Sequence, residues 1–347
     1  MTEESAASLG LPEPIAGVAW RPLTLADAAP MTELLNASFR HDELPFVQTL
    51  EEVRHSMADQ RLDPARDTIG GWSDDGQLVC FGAARARAAA VRRRIVYQDG
   101  EVHPAWRRRG LGGALLAWTE ARSRQLLAQP LAADATTEPG AGGPAPAFLE
   151  VYANERQADR ALLYERHGFR PIRWYVDMRR PLDQPLPAVE LTAGLSMVEW
   201  SAERDDDYRV AHVTAFNDHW GSEPLTKDEW HTRFTGAPMF RPDLTVGVVD
   251  GEGRLVGYVI GYHAPEDTAV TGRVEGWLGQ VGTLREWRGQ RVASALMVHV
   301  MGRMRMAGFD DAMLDVDTDN SSGAVGLYER LGFRPQHRSV RWEKAAD

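Results

Sequence analysis

The strongest constraint on this chain is that it repeats itself. Leu163–Pro171 reads Leu-Tyr-Glu-Arg-His-Gly-Phe-Arg-Pro and recurs as Leu327–Pro335 with one change, His167 against Leu331. Eight identities in nine residues, at an offset of 164, are not a chance event inside one chain, so the fold must be one that can be built twice. The segments upstream agree in order. Strand-like Val18–Leu23 and helical Asp27–Phe39 correspond to Leu195–Trp200 and Asp205–Phe216. Each copy then has a hairpin with a polar turn: Trp72–Gly76 joins strands near 67–72 and 77–86, and Asp250–Gly253 joins 244–249 and 254–262. Strands 94–102 and 273–282 each pass through an arginine- and glycine-bearing turn into an apolar-periodic helix, Gly112–Leu127 or Ala293–Ala307. A further strand (Phe148–Tyr152; Ala312–Val316) leads to the helix with the repeated Tyr-Glu-Arg, and an extended segment closes each copy.

A chain of 347 residues has room for two such domains, each with its own core. The repeat places them at 15–183 and 195–347. The linker, 184–194, lies in a stretch whose Pro181, Pro185 and Pro187 limit its flexibility. Gln129–Ala147, rich in Ala, Pro, Gly and Thr, reads as a flexible insertion in the first copy. A net charge of −11 argues against nucleic acid or an anionic membrane as partner. The local clusters Arg92–Arg94 and Arg107–Arg109 still suit a small anion. A single cysteine, Cys80, excludes an internal disulfide and a cysteine-built zinc site, and no metal is expected. Apolar runs such as Val292–Val298 fall far short of the ~20 residues a membrane helix needs. The acidic N-terminus lacks the apolar segment of a secretory signal, so the expected location is cytoplasmic. Oligomeric state is not legible.

The turn Val102–Ala114 runs Val-His-Pro-Ala-Trp-Arg-Arg-Arg-Gly-Leu-Gly-Gly-Ala. Glycines at a helix entrance let backbone N–H groups approach an anion, and the helix dipole and flanking arginines add positive potential. A diphosphate is the natural guest. No Gly-Lys-Ser/Thr follows, which disfavours a P-loop, and the preceding hairpins disfavour a dinucleotide fold.

Arg107-x-x-Gly110-x-Gly112, after a strand ending Val102-x-Pro104 and before a long helix, resembles the acetyl-CoA pyrophosphate loop of the GNAT acyltransferase superfamily. Asn154 and Leu163-Tyr164-Glu165-x-x-Gly168-Phe169 resemble a later motif of the same family. The tandem layout, with Asp315–Asn320 ahead of Gly323-Ala324 and Leu327-Tyr328-Glu329, is similar to mycothiol synthase-like double-GNAT proteins. The resemblance runs from about Val18 to Trp342. It implies an α/β (α+β) fold of two tandem GNAT-like domains. Each would be a mixed, mostly antiparallel sheet flanked by helices, its fourth and fifth strands splayed to admit pantetheine. It further implies acetyl-CoA as cofactor and a small-molecule amine as acceptor. In the first copy, cofactor contacts are implied from Val102, Arg107, Arg108, Arg109, Gly110, Leu111, Gly112, Gly113 and Asn154. In the second they are implied from Val281, Arg288, Gly289, Gln290, Arg291, Val292, Ala293, Ser294 and Asn320. The second copy departs from the family at Arg291, where the pattern has glycine.

Acetyl transfer to an amine requires that an ammonium of pKa about 10 lose a proton, that an oxyanion find donors, and that the departing thiolate be offered a proton. Tyr164 and Tyr328 stand where the family's general-acid tyrosine stands. Glu275 lies six residues before Val281, so strand alternation puts the two on one face, at a place that holds a catalytic glutamate in several family members. The corresponding place in the first copy is Val96; nearby Glu101 could substitute, although its odd offset from Val102 points it at the other face. The C-terminal half is therefore expected to be the catalyst, with Tyr164 lacking a base partner. Asp218-His219-Trp220 falls where family members build acceptor pockets, and Cys80 reads as core. Two other readings stay open: a non-catalytic CoA-binding sensor or scaffold, and an acyltransferase for protein amines. The acceptor itself is not legible.

Overall fold

The computed structural model describes residues 9–87, 93–129, 145–217, 222, 224–319 and 323–346. It divides into two compact units, the first made of Met1–Ile172 with Val340–Asp347 and the second of Arg173–Ser339. The first unit contains β1 (Val18–Arg21), α1 (Ala28–His41), α2 (Leu50–Met57), α3 (Pro64–Asp67), β2 (Thr68–Ser73), β3 (Leu78–Ala86), β4 (Arg94–Val102), α4 (Leu111–Ala128), β5 (Ala147–Asn154) and α5 (Ala158–Arg166). β6 (Arg170–Pro181) carries the chain out of it. The second contains β7 (Ser196–Glu199), α6 (Asp205–Phe216), α7 (Lys227–Trp230), β8 (Phe240–Val249), β9 (Leu255–His263), α8 (Thr268–Thr271), β10 (Glu275–Thr283), α9 (Val292–Met306), β11 (Asp311–Asp317) and α10 (Ala324–Arg330). β12 (Arg334–Ala345) returns to the first unit.

Each unit is a mixed sheet with helices against it. In the first, the strand order is β1-β2-β3-β4-β5-β12, with β4 and β5 parallel and β1 to β4 antiparallel. In the second, the order is β7-β8-β9-β10-β11-β6, with β10 and β11 parallel and the other pairs antiparallel. Burial explains the sequence pattern of the central strands. Leu78 to Ala84 of β3 are buried without interruption, because α1 and α4 both pack on this strand, so it reads as an apolar run rather than an alternation. Cys80 is fully buried beside Val79, Leu111 and Leu115, and burial pushes its thiol up to about 12. Among the described residues no helix is long and apolar enough to cross a membrane.

The units depart from the boundaries read off the repeat at their closing strands. Tyr175–Pro181 of β6 pairs antiparallel with β11, from Asp317↔Tyr175 to Asp311↔Pro181, and so completes the second unit. Val340 onward completes the first: β12 lies next to β5, and Ala346 N–H donates to Ala147 O at 3.0 Å. The proline-bearing connector is fastened to the second unit. Arg180 donates to the carbonyls of Pro181, Pro185 and Leu331, and Leu186 and Leu191 pack on that unit's core. Most of the insertion expected at Gln129–Ala147 lies outside the described residues.

Trp342 of the returning strand packs against Tyr164, with ring centroids 6.3 Å apart, and joins the core around Leu149, Val151 and Phe169. Trp342→Ala should therefore lower stability by roughly 3 kcal/mol in urea denaturation, the usual cost of removing a packed aromatic. Deleting Val340–Asp347 should raise hydrogen exchange in α4, β5 and α5 while leaving β8 to β10 protected. Uniform loss of protection in both units would contradict the division of the closing strands.

Candidate active site

The parallel pairing of β4 with β5 runs only from Arg94↔Ala147 to Tyr97↔Glu150. Beyond it, Gln98–Val102 keep their antiparallel partners on β3 while the opposite edge of the strand is left open. A cavity of about 900 Å³ opens along that edge. Its walls are Gln98–Val102, Val151, the turn residues Arg107, Arg108, Gly110, Gly112 and Gly113, the face of α5 bearing Leu163 and Tyr164, and His41–Glu43 after α1. Parted parallel strands leave backbone N–H and C=O groups that must find partners in a guest or in water.

At the turn, the backbone is left-handed at Arg108 (φ 65°) and Gly110 (φ 88°), and Gly110 caps α4. Leu111, fully buried, anchors the helix below. Arg107 does not face outward as a phosphate ligand. It donates to Val102 O at 3.2 Å, to Asp42 Oδ2 at 2.9 Å and to Ser38 Oγ, tying the strand end to α1. Burial works against the Asp42 charge, but hydrogen bonds from Arg107 and Gln157 hold its carboxyl below the usual range. Arg109 covers the Trp106 ring at 4.7 Å, whereas Arg108 is 72% exposed at the cavity rim. A Cβ at Gly112 would come within 3.1 Å of Leu163, so a larger residue would push α5. Asn154 is buried and accepts from Arg156 N–H at 3.1 Å, shaping the turn into α5.

The second unit forms the same turn with the residues exchanged. Arg288 donates to Thr283 O at 3.3 Å and to Ala215 O at 2.7 Å, as Arg107 does to Val102 and α1. Its left-handed residues are Gly289 (φ 77°) and Arg291 (φ 62°), so each copy has one glycine and one arginine at these two positions. Arg291 thus preserves the backbone shape that its side chain disfavours. Gln290 donates to Glu286 O and accepts from Thr192 through its carbonyl. Val292 is buried at the start of α9, with Ala293 and Ser294 half-buried after it. Asn320 and Asp218–Trp220 lie outside the described residues.

Tyr164 is 7% exposed, donates to Tyr152 O at 3.3 Å and lies on the cavity wall. Burial raises its pKa against the opposing pull of Arg160, which keeps a proton on the phenol at neutral pH. Glu101 is 5% exposed and shares the cavity. Its carboxylate accepts from Val102 N–H at 3.1 Å and from Arg160, with Arg107 at 3.8 Å. Parity had turned Glu101 away. The cavity meets β4 edge-on, however, so residues of both parities line it.

The expected base, Glu275, is placed otherwise. It sits on the first rung of the β10–β11 pairing, opposite Asp311, and that pairing continues through Trp277↔Met313. The counterpart of Val102 is Thr283 rather than Val281, as the two arginine anchors show. A bulge between Leu278 and Gln280 also reverses strand parity, putting Glu275 and Val281 on opposite faces. Burial raises the Glu275 pKa, partly offset by Arg179 at 3.0 Å. The counterpart of Glu101 is Gly282, where a Cβ would meet the Tyr258 ring at 2.3 Å. That ring is held by a 2.7 Å hydrogen bond between Tyr258 Oη and His212 Nδ1. Tyr328 packs on Phe333, its phenol pushed up to about 12 by burial and by Asp315.

Comparison with known proteins agrees with this architecture. The model of the acetyltransferase (GNAT) family matches residues 199–333, and that of an acetyltransferase (GNAT) domain matches residues 69–171. The chain belongs to the GNAT acetyltransferases and carries two such domains in tandem. It is 31% identical to the mycothiol acetyltransferase of Frankia alni over 95% of this chain and 96% of that protein. It is also 31% identical to that of Thermobispora bispora, over 67% and 70%. Among solved structures it is similar to a GCN5-related N-acetyltransferase from Sphaerobacter thermophilus, with a TM-score of 0.69, 26% identity and 97% of each chain covered. A tandem GNAT protein from the clavulanic acid biosynthesis pathway shares the fold at a TM-score of 0.66 and 19% identity, covering 95% of this chain and 99% of that one. The chain is accordingly an acyltransferase of a family that draws its acyl group from a CoA thioester.

Two measurements test the second unit's geometry. Burial and the nearby Glu275 raise Asp177 to about 6 from a model-peptide value of 3.8. A carboxyl raised in the fold favours folding below its unfolded pKa and loses that contribution as pH rises through its folded one. Asp177→Asn should therefore match the parent near pH 3.5 and exceed it by up to about 3 kcal/mol at pH 8 in denaturant titrations. Arg291→Gly should raise stability by up to about 1 kcal/mol, since the left-handed backbone penalises a Cβ. A loss of that size would mean that the arginine side chain makes a stabilising contact.

Proposed function

We propose that this chain transfers the acetyl group of acetyl-CoA directly to a primary amine of a small molecule, at the cavity of the first unit. The observation that carries the reading is the presence of Glu101 and Tyr164 on the walls of one cavity, beside a turn, left-handed at Arg108 and Gly110, that opens into α4. The donor set fits the thioester: a helix N-terminus for the diphosphate and an open strand edge for the amide-bearing arm. When bound, acetyl-CoA supplies an acetyl group already activated as a thioester. Glu101 orients the ammonium. Glu101 takes one ammonium proton, which frees the nitrogen lone pair to bond to the carbonyl carbon; a carboxylate is a weak base for an ammonium, and formation of that bond draws the transfer forward. Tyr164 offers its phenol proton to the leaving sulfur. Relatives named mycothiol acetyltransferase support an amine of the mycothiol type as the first acceptor to test.

This reading moves turnover away from the C-terminal half, where Glu275 and Tyr328 were expected to act. The second unit retains the cofactor turn yet has Gly282 and the Tyr258 ring where the first has a carboxylate. That favours a binding or structural role for it.

A thiol-release assay with acetyl-CoA and a panel of amines, including the deacetylated precursor of mycothiol, tests the assignment. Glu101→Gln should lower kcat by roughly 10²–10⁴-fold, the range for a general base, with the defect easing at high pH. Tyr164→Phe should slow transfer without weakening acetyl-CoA binding, while Glu275→Gln and Tyr328→Phe should leave turnover near the parent's. The opposite ranking would return the active site to the second unit.

A further inference from the structure

We propose that Arg160 is a positioning residue that holds the Glu101 carboxylate in place beside Tyr164, an inference that rests on the function proposed for the first unit. Arg160 stands on the first turn of α5 and Tyr164 one turn later, so both side chains leave the same face of the helix. Its guanidinium donates to Glu101 Oε2 and acts on the Tyr164 phenol. Arg107 from the turn also lies 3.8 Å from Glu101, and Asp42 at the end of α1 and Asp99 on the same strand line the same cavity. Arg107 is already occupied by Asp42, Ser38 and Val102. Arg160 is therefore the cation whose hydrogen bond is available to fix the Glu101 carboxylate.

Charge accounting through the reaction points to the same residue. At the outset Glu101 is negative, Arg160 positive and Tyr164 neutral. Once the C–N bond has formed and the C–S bond has broken, one nitrogen proton is on Glu101, the phenol proton is on sulfur, and the negative charge is on Tyr164. It has passed from one neighbour of Arg160 to the other, and the trio's net charge has not changed. The second nitrogen proton restores the phenol, and Glu101 releases its proton to water. The internal repeat supplies an independent argument. By the repeat offset, Arg160 corresponds to Ala324, and the turn geometry equates Glu101 with Gly282. The pair is present together in one copy and absent together from the other.

Arg160→Met and Arg160→Lys, each compared with the parent, test the proposal on the full chain. Arg160→Met should lower kcat at pH 7 at least about tenfold, with KM for the amine and acetyl-CoA affinity by calorimetry staying within about twofold, and Arg160→Lys should recover most of kcat. Infrared spectra decide the matter without turnover. The carboxylate stretch that Glu101→Gln removes should be displaced in Arg160→Met and returned in Arg160→Lys. An unchanged kcat, or an undisplaced band, overturns the role of Arg160. If the parent transfers acetyl to no amine, the proposed function falls and the infrared comparison still decides the positioning claim.

Discussion

A strand edge left open inside a folded domain is the constraint from which the rest of this site follows. Past Tyr97, β4 has partners on one side only. An extended edge of this kind is costly in a protein interior and invites pairing with any available strand. The first unit contains it by surrounding the gap with fixed groups. Arg107 ties the strand end to α1, the left-handed turn closes the top, and α5 forms the far wall. All three also line the cavity, so the features that make the gap tolerable are those that bound the proposed site.

The two copies show which parts of that arrangement are backbone and which are side chain. The turn keeps its two left-handed positions through an exchange of glycine and arginine between them, so its backbone shape is common to both copies. The tyrosine is present in both copies, but the carboxylate is in one only. Replacing Glu101 by the equivalent of Gly282 removes the carboxylate, and the ring of Tyr258 then occupies the space a side chain would need. A duplicated fold can in this way keep its ligand-binding shape in both halves while retaining chemistry in one.

Much of this was legible in the sequence. The Leu-Tyr-Glu-Arg repeat, the spacing of Arg107, Gly110 and Gly112, and the order of strands and helices all record local backbone requirements. Each leaves a residue type at a set position. What escaped depends on three-dimensional accidents of the strand. The bulge beyond Leu278 inverts the parity on which the choice of Glu275 rests, and the same parity rule points Glu101 at the other face, because nothing local announces that a cavity will meet β4 along its edge. The contact of Arg160 was invisible for a related reason: its partner Glu101 lies 59 positions away. The destination of the closing strands was equally hidden, since alternation fixes a strand's faces but not its neighbour.

Those closing strands also limit how such a protein can be recombined. Because Tyr175–Pro181 belongs to the second unit and Val340–Asp347 to the first, neither copy is a self-contained cassette. A genetic crossover in the proline-bearing connector, where a fusion of two domains would ordinarily be cut, leaves both products with a foreign edge strand. Substitutions in Trp342 and the surface it packs against must then be accepted in concert, although almost the whole chain separates β1 from β12. The two halves are consequently free to diverge in chemistry but are bound to be inherited as one piece.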